Sequence, residues 1–577
     1  MGQGRAESDS HMDSDETALE SIPEPSLEHA MDHVVLVIFE NRSFDSLLGH
    51  LYTPEEHATF EGVIGKELKN PVPGWAPPIP DAEAGPEPGY VYYGKATNLN
   101  TPDPDPGEEY QHTNTQLFNI LAPENRGKPV HDKMDSFNAP GPGQKPTMDG
   151  FVTDYISNYQ ALKHEVPEFG QYRQIMQGHA PDQVPVLSAL ARGFAVFDHW
   201  FSEVPSQTFP NRSFWTAATS SGMVVNSPVQ RYYFDNSAET IFNRLEDNGR
   251  SWKVYVLEPC PISVTGAIHS PKLKPYFHEK FVPFSEFITD VNNGTLPDFA
   301  LIEPNLLAGH ADYHPPFGDS LVGGLDMPVD WGSAISSGEA FLARLYETVR
   351  NAPTDVATGE GKSNVWNTTL FIGWDEPGGT YDHVPPPAAV PPDGPDGPEG
   401  QFGFAFDRSG YRVPAIMVSP WVAEETVESN EFRHTSMIAT LRKRWGLGGK
   451  FTWRDHSANT FDHLFTLEQP RQPETWPVVP VPEVPAEEAD PFTFRSSLGS
   501  LGRHLVHGMA HLSRAAGYDV EPDQLDPDSD VEVPQQVFVD AARIFGGHFF
   551  TRLVARGAPT TDVPPGVQTT ASSTPVR

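Results

Sequence analysis

Two pairs of residues with oxygen-bearing side chains follow directly after apolar runs of the sequence: Glu40 and Asn41, and Asp375 and Glu376. The runs, 33–39 and 369–373, have the composition of buried strands. Ligands of open α/β sheets bind beyond the carboxyl ends of the strands. Three carboxylates there would repel one another unless a cation neutralised them, and divalent metals accept oxygen ligands. The pattern therefore predicts a metal site, and solvated loop acids are the alternative interpretation.

Thr208 lies shortly before a predicted helix start, because Pro210 is typical of a first helical position. The free N–H groups and the dipole at such a position favour a phosphate. A hydroxyl next to a metal can act as a nucleophile without a histidine base. Asn211 and Arg212 are placed to donate hydrogen bonds to an anion. A simple helix-capping role for Thr208 explains the pattern equally well.

Three histidines occur in loops or at helix starts after predicted strands: His314, His383 and His434. Catalytic groups concentrate at such positions. The chain has 22 histidines, so most of them are surface or packing residues, but the His-Pro and Asp-His-Val-Pro contexts favour functional roles for His314 and His383. Helix capping is the alternative for His434.

The elements that must position these residues alternate along the chain. Short apolar runs predict strands at 33–39, 194–197, 252–257, 299–302, 369–373 and 413–418. Segments of helical period lie between them and include 184–192, 238–246, 337–350 and 435–445. Strands that alternate with helices predict an α/β fold with a mostly parallel sheet covered on both faces.

Composition narrows the class of protein. The 577 residues include 39 Lys and Arg against 78 Asp and Glu, a formal charge of −39, which argues against binding to nucleic acid or to an anionic membrane. The single cysteine, Cys260, excludes an intramolecular disulfide and a multi-cysteine metal site. Neither a Gly-x-Ser-x-Gly elbow nor a His-Glu-x-x-His helix occurs, which weakens the interpretations as an ordinary α/β-hydrolase or a zinc protease.

Changes in composition predict the domain organisation. We expect a disordered N-terminal segment (1–30), a catalytic domain (31–467), a linker rich in Pro and Glu (468–493), a small helical appendage (494–555) and a disordered tail (556–577). The first 20 residues lack the apolar run of a secretory signal. The sequence as written therefore predicts a soluble, cytoplasmic protein without stable membrane insertion, and secretion and oligomeric state stay open.

Three motifs of the sequence are specific: Glu-Asn-Arg-Ser-Phe-Asp at 40–45, Thr-Phe-Pro-Asn-Arg at 208–212 and Asp-Glu-Pro-Gly-Gly-Thr-Tyr-Asp-His-Val-Pro-Pro-Pro at 375–387. They resemble motifs of the bacterial phosphoesterase family, which contains non-haemolytic phospholipases C and an acid phosphatase. With supporting stretches the resemblance covers about 32–465, in family order. It implies an alkaline-phosphatase-like α/β/α sandwich and metal-dependent hydrolysis of phosphoric esters.

The resemblance also implies roles for single residues. A divalent metal ion would be held by Glu40, Asn41, Thr208, Asp375 and Glu376. Thr208 would be the nucleophile and would form a phosphothreonine intermediate. The residues that would contact the phosphate or protonate the leaving group are Asn211, His314 and His383, with His434 as a weaker candidate.

The chain departs from the family pattern at one position. The family commonly has Asp-Pro-x-His where this chain has Asp105-Pro106-Gly107-Glu108, and His112 follows four residues later. Either His112 takes the missing role in substrate binding or the substrate site is altered. The departure motivates an alternative function, a catalytically degenerate phosphate- or metal-binding protein. Phospholipids and phosphomonoesters both stay open as substrates, and the lack of a basic amphipathic helix slightly favours a soluble ester.

Overall fold

The structure is a computed structural model that describes residues 25–130, 135–257, 263–306, 311–316, 334–354 and 362–480, and the single positions 482, 511 and 514. Cys260, residues 1–24 of the predicted N-terminal segment and the predicted tail 556–577 lie outside the described residues, as does the appendage 494–555 apart from those single positions.

The described residues form a mixed α/β structure. The strands are β1 His33–Phe39, β2 Lys69–Pro71, β3 Tyr90–Tyr92, β4 Gly94–Lys95, β5 Gln177–Gly178, β6 Ala195–Phe197, β7 Trp200–Phe201, β8 Trp252–Val256, β9 Phe281–Pro283, β10 Phe299–Glu303, β11 Thr368–Trp374, β12 Ala415–Val418, β13 Thr426–Glu428 and β14 Phe432–Arg433. The α-helices are α1 Phe44–Leu47, α2 Tyr110–Phe118, α3 Phe151–Lys163, α4 Phe169–Tyr172, α5 Pro185–Gly193, α6 Thr208–Ala217, α7 Ile241–Asp247, α8 Val264–Ile268, α9 Ser270–Leu273, α10 Phe277–Lys280, α11 Phe284–Asn292, α12 Ala334–Arg350, α13 Thr435–Trp445 and α14 Trp453–His456.

Eight of the described strands form one sheet in the order β13-β6-β12-β11-β1-β10-β8-β9. β1 lies inside it and pairs in parallel with β10 and β11. All seven residues of β1 are buried, as expected for an apolar strand covered on both faces. β12 runs antiparallel to both of its neighbours, so the sheet is mostly parallel. The predicted α/β fold class with a mostly parallel central sheet is confirmed.

Strand positions follow the sequence closely. The predicted strand 33–39 has the bounds of β1, and the other five predicted strands differ from β6, β8, β10, β11 and β12 by one or two residues at an end. The apolar pattern missed β9 and β13, the two edge strands of the sheet. β9 includes Pro283, and β13 includes Thr426 and Glu428, so neither strand is a run of apolar residues like the equally short β6.

Helices α2 and α3 hold the loop that precedes α2 in place. Tyr155 Oη donates to the carbonyl oxygen of Pro104 at 2.9 Å, and Gln116 Nε2 donates to that of Gly107 at 2.7 Å. The side chain of Tyr155 packs in an apolar cluster with Leu117 and Phe151. Two helices thus fix the backbone of the loop 104–108.

The described start of the predicted linker packs on the domain. Trp476 is buried and contacts Phe194 edge to face, with ring centroids 5.2 Å apart. Tyr346 Oη donates to the carbonyl oxygen of Pro477 at 2.8 Å. Within the described ranges, every helix is too short or too polar to cross a membrane.

Candidate active site

The ends of β1 and β11 bring the two predicted pairs of residues together. These strands are parallel neighbours with Phe39 opposite Trp374, so the residues that follow leave the sheet at the same edge. The backbone N–H of Asn41 donates to Asp375 Oδ1 at 3.4 Å. The pairs are completely buried: Glu40 and Asn41, and Asp375 and Glu376.

The two loops after these strands touch through backbone atoms. Asn41 has a left-handed backbone with φ +54°, which asparagine adopts more easily than most residues. Gly378 has φ +59°, and a Cβ atom there would lie 2.3 Å from the carbonyl oxygen of Asn41. Glycine is therefore required at 378, and the close approach fixes Asn41 beside the carboxylates of Asp375 and Glu376.

Helix α6 presents a hydroxyl and a guanidinium to these carboxylates. The helix begins at Thr208, two residues before the predicted start. Thr208 Oγ1 donates to Glu40 Oε2 at 3.4 Å. One turn later, on the same face, Arg212 donates through Nη2 to Glu40 Oε1 and through Nε to Asp375 Oδ2 at 3.1 Å. Arg212, expected to donate to an anionic ligand, thus bridges two carboxylates. We call Glu40, Asn41, Thr208, Arg212, Asp375 and Glu376 the Thr208 cluster.

Burial dominates the electrostatics of the Thr208 cluster. It raises the pKa of Glu40 well above its usual value, although the charge of Arg212 opposes the shift. Burial also raises the pKa of Asp375 against the effect of Arg212. The pKa of Glu376 is raised well above its usual value by burial and by the charges of Glu108 and Asp375. The cluster therefore favours a proton or a cation.

The donor set of this cluster fits a divalent cation. Asn41 Oδ1 and Glu376 Oε1 are buried and have no hydrogen-bond partner among the described residues. Such acceptors are rare, because buried polar atoms are nearly always paired. Carboxylate and amide oxygens are the ligands that hard divalent cations prefer.

Glu108 is a member of the site that the sequence marked only as a departure from the family pattern. Asn41 Nδ2 donates to Glu108 Oε2, and Gln207 Nε2 donates to Glu108 Oε1 at 3.4 Å. Gln207 directly precedes Thr208 in the chain. Glu108 therefore links the loop before α2 to the residue at the start of α6.

His112, the predicted substitute for a family histidine, forms a pair with an aspartate of α3. His112 Nδ1 lies 2.8 Å from Asp154 Oδ1, and Nε2 lies 3.8 Å from Glu109 Oε2. Burial lowers the pKa of His112, but Asp154 outweighs it and raises the pKa to about 9. The observed contacts of His112 are those of a buried ion pair that joins α2 to α3.

Asn211 shapes the loop that leads into α6. Its Oδ1 accepts from the backbone N–H groups of Glu203 and Val204, both at 2.9 Å. Its Nδ2 donates to the carbonyl oxygens of Val204, Ser206 and Gln207 at 3.0, 3.0 and 2.9 Å. All these bonds go to backbone atoms, so Asn211 positions Thr208 through the loop before it.

His434 forms a hydrogen bond with the backbone of Asp375. His434 Nε2 lies 2.6 Å from the carbonyl oxygen of Asp375, and Trp200 Nε1 donates to Nδ1 at 3.2 Å. Because a carbonyl oxygen only accepts, Nε2 carries the proton. Burial lowers the pKa of His434 to about 3, so the ring is neutral at physiological pH. Its ring stacks on Trp215, with centroids 4.4 Å apart.

His383 lies in a second cluster of charged residues. His383 Nδ1 is 2.7 Å from Asp45 Oδ2, and Nε2 is 2.9 Å from Glu61 Oε1. Arg412 donates through Nη2 to Asp45 Oδ1 at 2.8 Å and through Nε to Asp382 Oδ1 at 3.0 Å. We call Asp45, Asp382, His383 and Arg412 the His383 cluster. The structure therefore brings His383 together with α1.

His314 lies beside Asp105 and Glu108. His314 Nδ1 is 2.7 Å from the carbonyl oxygen of Pro315, and Nε2 is 3.9 Å from Asp105 Oδ2. The ligand atoms of Asp105, Glu108 and His314 lie within 4.8 Å of one another. The His-Pro context favours a functional role for His314, but nothing in the local sequence predicts two carboxylates beside it.

Comparisons with known proteins agree with the family that the motifs predict. The model of the Phosphoesterase family matches residues 31–448. The chain is 31% identical over 465 residues to non-specific phospholipase C3 of Arabidopsis thaliana, covering 78% of this chain and 76% of the relative. It is 24% identical over 478 residues to phospholipase C B of Mycobacterium tuberculosis, covering 77% and 79%.

Among solved structures, the phosphonate monoester hydrolase of Agrobacterium radiobacter shares 13% identity with the chain. The superposition covers 46% of this chain and 69% of that chain with a TM-score of 0.25, which is too low to support an argument about the site. The family assignment rests on the sequence matches. They show that the chain belongs to the phosphoesterase family and is a hydrolase of phosphoric esters.

Proposed function

We propose that the chain is a divalent-cation-dependent hydrolase of phospholipase C type in which Thr208 is the nucleophile. The hydrogen bond of 3.4 Å from Thr208 Oγ1 to Glu40 Oε2 carries the proposal. It lies in a buried cluster in which Asn41 Oδ1 and Glu376 Oε1 have no partner among the described residues. The relatives named phospholipase C support the class of substrate.

In the first step Thr208 Oγ1 forms a bond to phosphorus and the bond from phosphorus to the leaving oxygen breaks. The hydroxyl proton moves to Glu40 Oε2, which accepts the hydrogen bond of Thr208 in the resting site. Burial raises the pKa of Glu40, so this carboxylate can hold the proton. The leaving alcohol takes a proton from solvent, and the phosphoryl group is left on Thr208 as a phosphothreonine ester.

In the second step water attacks phosphorus, one of its protons passes to solvent, and the bond from phosphorus to Thr208 Oγ1 breaks. Glu40 returns the proton to Thr208, and the phosphate product leaves with the oxygen of the water. A divalent cation held by Glu40, Asn41, Thr208, Asp375 and Glu376 would supply Lewis-acid stabilisation of the phosphoryl oxygens. The positive end of the α6 dipole acts in the same direction.

Several residues keep Thr208 and its carboxylates in place. Asn211 fixes the loop before α6, and His434 fixes the backbone of Asp375. Residues that position a reacting group in this way typically have large effects on rate without touching substrate. The roles implied by the resemblance for His112, His314, His383, His434 and Asn211 in phosphate binding or proton transfer remain predictions.

The names of the relatives support the proposed substrate class. Those named phospholipase C favour a phosphodiester with a lipid alcohol as leaving group. A phosphomonoester such as an acid phosphatase would hydrolyse is the alternative. A phosphodiester has a second ester bond that a phosphomonoester lacks. Diester and monoester substrates with the same nitrophenyl leaving group therefore distinguish the two activities.

The test is hydrolysis by full-length protein that has been treated with chelator and then supplied with Mg²⁺, Mn²⁺ or Ca²⁺. The substrates are phosphatidylcholine vesicles, nitrophenyl phosphorylcholine and nitrophenyl phosphate. We expect diester hydrolysis that the chelator abolishes and a cation restores, and none in Thr208→Val. Thr216→Val, a buried threonine of the same helix whose hydroxyl donates to a helix carbonyl at 3.0 Å, is the matched control and should stay active.

Full activity of a folded Thr208→Val variant would overturn the assignment of the nucleophile. Hydrolysis that chelation leaves unchanged would overturn the cation dependence. Faster hydrolysis of nitrophenyl phosphate than of both diesters would indicate that the protein is a phosphatase and not a phospholipase. Thermal unfolding of each variant shows whether a loss of activity reflects a loss of fold.

A further inference from the structure

We propose that Asp105, Glu108 and His314 form a second divalent-cation site beside the Thr208 cluster. The inference deepens the proposed function, since it rests on that function for the assignment of the first cation to the Thr208 cluster. It adds a site formed by the loop before α2 and by the segment 311–316. Three arguments support it: the spacing of the ligand atoms, the hydrogen bond of His314 and the unpaired oxygen atom of Asp105.

The spacing of the three side chains suits one cation. Their ligand atoms lie within 4.8 Å of one another. Ligands bound at about 2.0–2.4 Å to one cation lie at most about 4.8 Å apart. The distance of 3.9 Å from His314 Nε2 to Asp105 Oδ2 is too long for a direct hydrogen bond but within that span.

The orientation of His314 is that of a metal-binding imidazole. Nδ1 lies 2.7 Å from the carbonyl oxygen of Pro315, which only accepts hydrogen bonds, so Nδ1 carries the proton. When the ring carries one proton, its lone pair is therefore on Nε2, which lies 3.9 Å from Asp105 Oδ2. Histidines that bind metals usually donate their other N–H to a carbonyl or carboxylate in this way. A cation between the two atoms would take Nε2 and the Asp105 carboxylate as ligands.

One oxygen atom of the proposed ligands is buried and unpaired, which is an independent observation. Asp105 Oδ1 has no hydrogen-bond partner among the described residues. Buried acceptors are nearly always paired, so an unpaired one favours a ligand beside it. The unpaired oxygen atoms of Asn41 and Glu376 belong to the Thr208 cluster, which Asn41 Nδ2 joins to Glu108.

The nearby cationic side chain directs its hydrogen bonds to the backbone. Arg42 donates through Nε to the carbonyl oxygen of Tyr313 and through Nη1 to that of Thr101, both at 2.8 Å. These hydrogen bonds hold the guanidinium on the backbone of the segments that carry His314 and the loop before α2.

A cation at this place would act on the same phosphate as the first. Glu108 accepts hydrogen bonds from Asn41, a member of the Thr208 cluster, and from Gln207, the residue before the nucleophile. Two cations that share a phosphate can stabilise both the attacking and the leaving oxygen of an in-line displacement. His314 would then be a ligand, so its lone pair on Nε2 would be engaged while the cation is bound.

The test counts bound Mn²⁺ on chelator-treated full-length protein by the electron paramagnetic resonance signal of free Mn²⁺ during titration. We expect two Mn²⁺ per chain in the wild type and one in Glu108→Gln and in His314→Gln. The matched control is Glu109→Gln, which removes the same charge at the next position and should leave two. Asp375→Asn should retain the second Mn²⁺ and lose the first. Unfolding curves without Mn²⁺ identify any variant that fails to fold. If Glu108→Gln does not fold, His314→Gln alone tests the second site.

Each pattern decides between the two proposals. One Mn²⁺ in the wild type that is kept in Glu108→Gln and lost in Asp375→Asn overturns the second site and leaves the proposed function intact. One Mn²⁺ in the wild type that is lost in Glu108→Gln and kept in Asp375→Asn supports the second site and overturns the cation at the Thr208 cluster. Two Mn²⁺ in both Glu108→Gln and His314→Gln also overturn the second site. No binding by the wild type overturns both.

Discussion

The Thr208 cluster and the His383 cluster are built in the same way. Each combines residues that follow β1 with residues that follow β11, and each is buried. In each an arginine bridges two carboxylates: Arg212 between Glu40 and Asp375, and Arg412 between Asp45 and Asp382. Burial of several charged groups is unfavourable unless the charges are paired. In both clusters the guanidinium of an arginine pairs with the buried carboxylates.

The clusters differ in how completely their oxygen atoms are paired. The carboxylate oxygens of Asp45 and Asp382 all accept hydrogen bonds, from Arg412, His383 and the backbone N–H groups of Asp45, His383 and Val384. In the Thr208 cluster, Asn41 Oδ1 and Glu376 Oε1 have no partner among the described residues. A saturated cluster joins two loops, whereas an unsaturated one beside a hydroxyl is prepared for a ligand.

Asp375→Asn gives the largest expected effect and tests the Thr208 cluster. The substitution keeps the shape of the side chain but removes the charge that faces Arg212 and the cation. Because a metal ion supplies several kcal/mol of transition-state stabilisation, kcat/KM should fall by about 1,000-fold or more. The measurement is hydrolysis of nitrophenyl phosphorylcholine at saturating Mn²⁺. Turnover close to that of the wild type would contradict the role of Asp375.

Asp382→Asn is the matched change in the His383 cluster and should act on stability instead. It leaves the buried guanidinium of Arg412 with one anionic partner fewer. Removal of one partner of a buried ion pair typically costs about 3–5 kcal/mol. Urea unfolding measures this loss, and kcat/KM per folded molecule should stay near the wild-type value. A loss of turnover without a loss of stability would break the comparison.

Glu376→Gln should stabilise the chelator-treated protein at pH 7. The folded pKa of Glu376 is raised by burial and by Glu108, so its ionised form destabilises the fold once the pH exceeds the unfolded pKa. Replacement of this buried carboxyl group by a neutral amide should raise the free energy of unfolding by about 1–3 kcal/mol. The gain should vanish at pH 3, where the carboxyl is protonated in both states. A variant less stable than the wild type at pH 7 would indicate that the folded protein stabilises the ionised carboxylate of Glu376.

His383→Gln should have the smallest effect, and the effect should depend on pH. Burial lowers the pKa of His383, but Asp45 outweighs it and the net shift is upward. The stabilisation by the protonated ring is therefore complete below the ordinary pKa of about 6.5 and is lost as the pH rises through the folded pKa. We expect a loss of about 1 kcal/mol at pH 6 that shrinks towards pH 9. A fall in turnover as large as that of Asp375→Asn would place His383 in the catalytic machinery.

The residues that the sequence placed correctly are those next to a strand. Glu40 and Asp375 directly follow β1 and β11, so strand pairing alone brings them together. His383 lies nine residues beyond the end of β11, after Gly378 and Gly379 with left-handed backbones. This turn brings His383 to Asp45 and not to the Thr208 cluster. No local sequence pattern predicts that direction.

The residues that the sequence could not place are those whose partners come from distant segments. Glu108 reaches Asn41 across 67 residues, and Arg212 reaches Glu40 across 172. The hydrogen bonds of Asn211 and His434 go largely to backbone atoms, and residue type does not predict whether a polar side chain binds backbone or ligand. The departure from the family pattern at Glu108 was the one available signal, and it pointed to the region of the proposed second cation.

The central claim, a covalent intermediate on Thr208, is tested most directly by the stereochemical course of hydrolysis at phosphorus. The substrate is a nitrophenyl phosphodiester made chiral at phosphorus with sulfur and hydrolysed in water labelled with heavy oxygen. Two displacements, first by Thr208 and then by water, invert the configuration twice, so the account predicts net retention. Net inversion would mean that water attacks the substrate directly, and it would contradict Thr208 as the nucleophile.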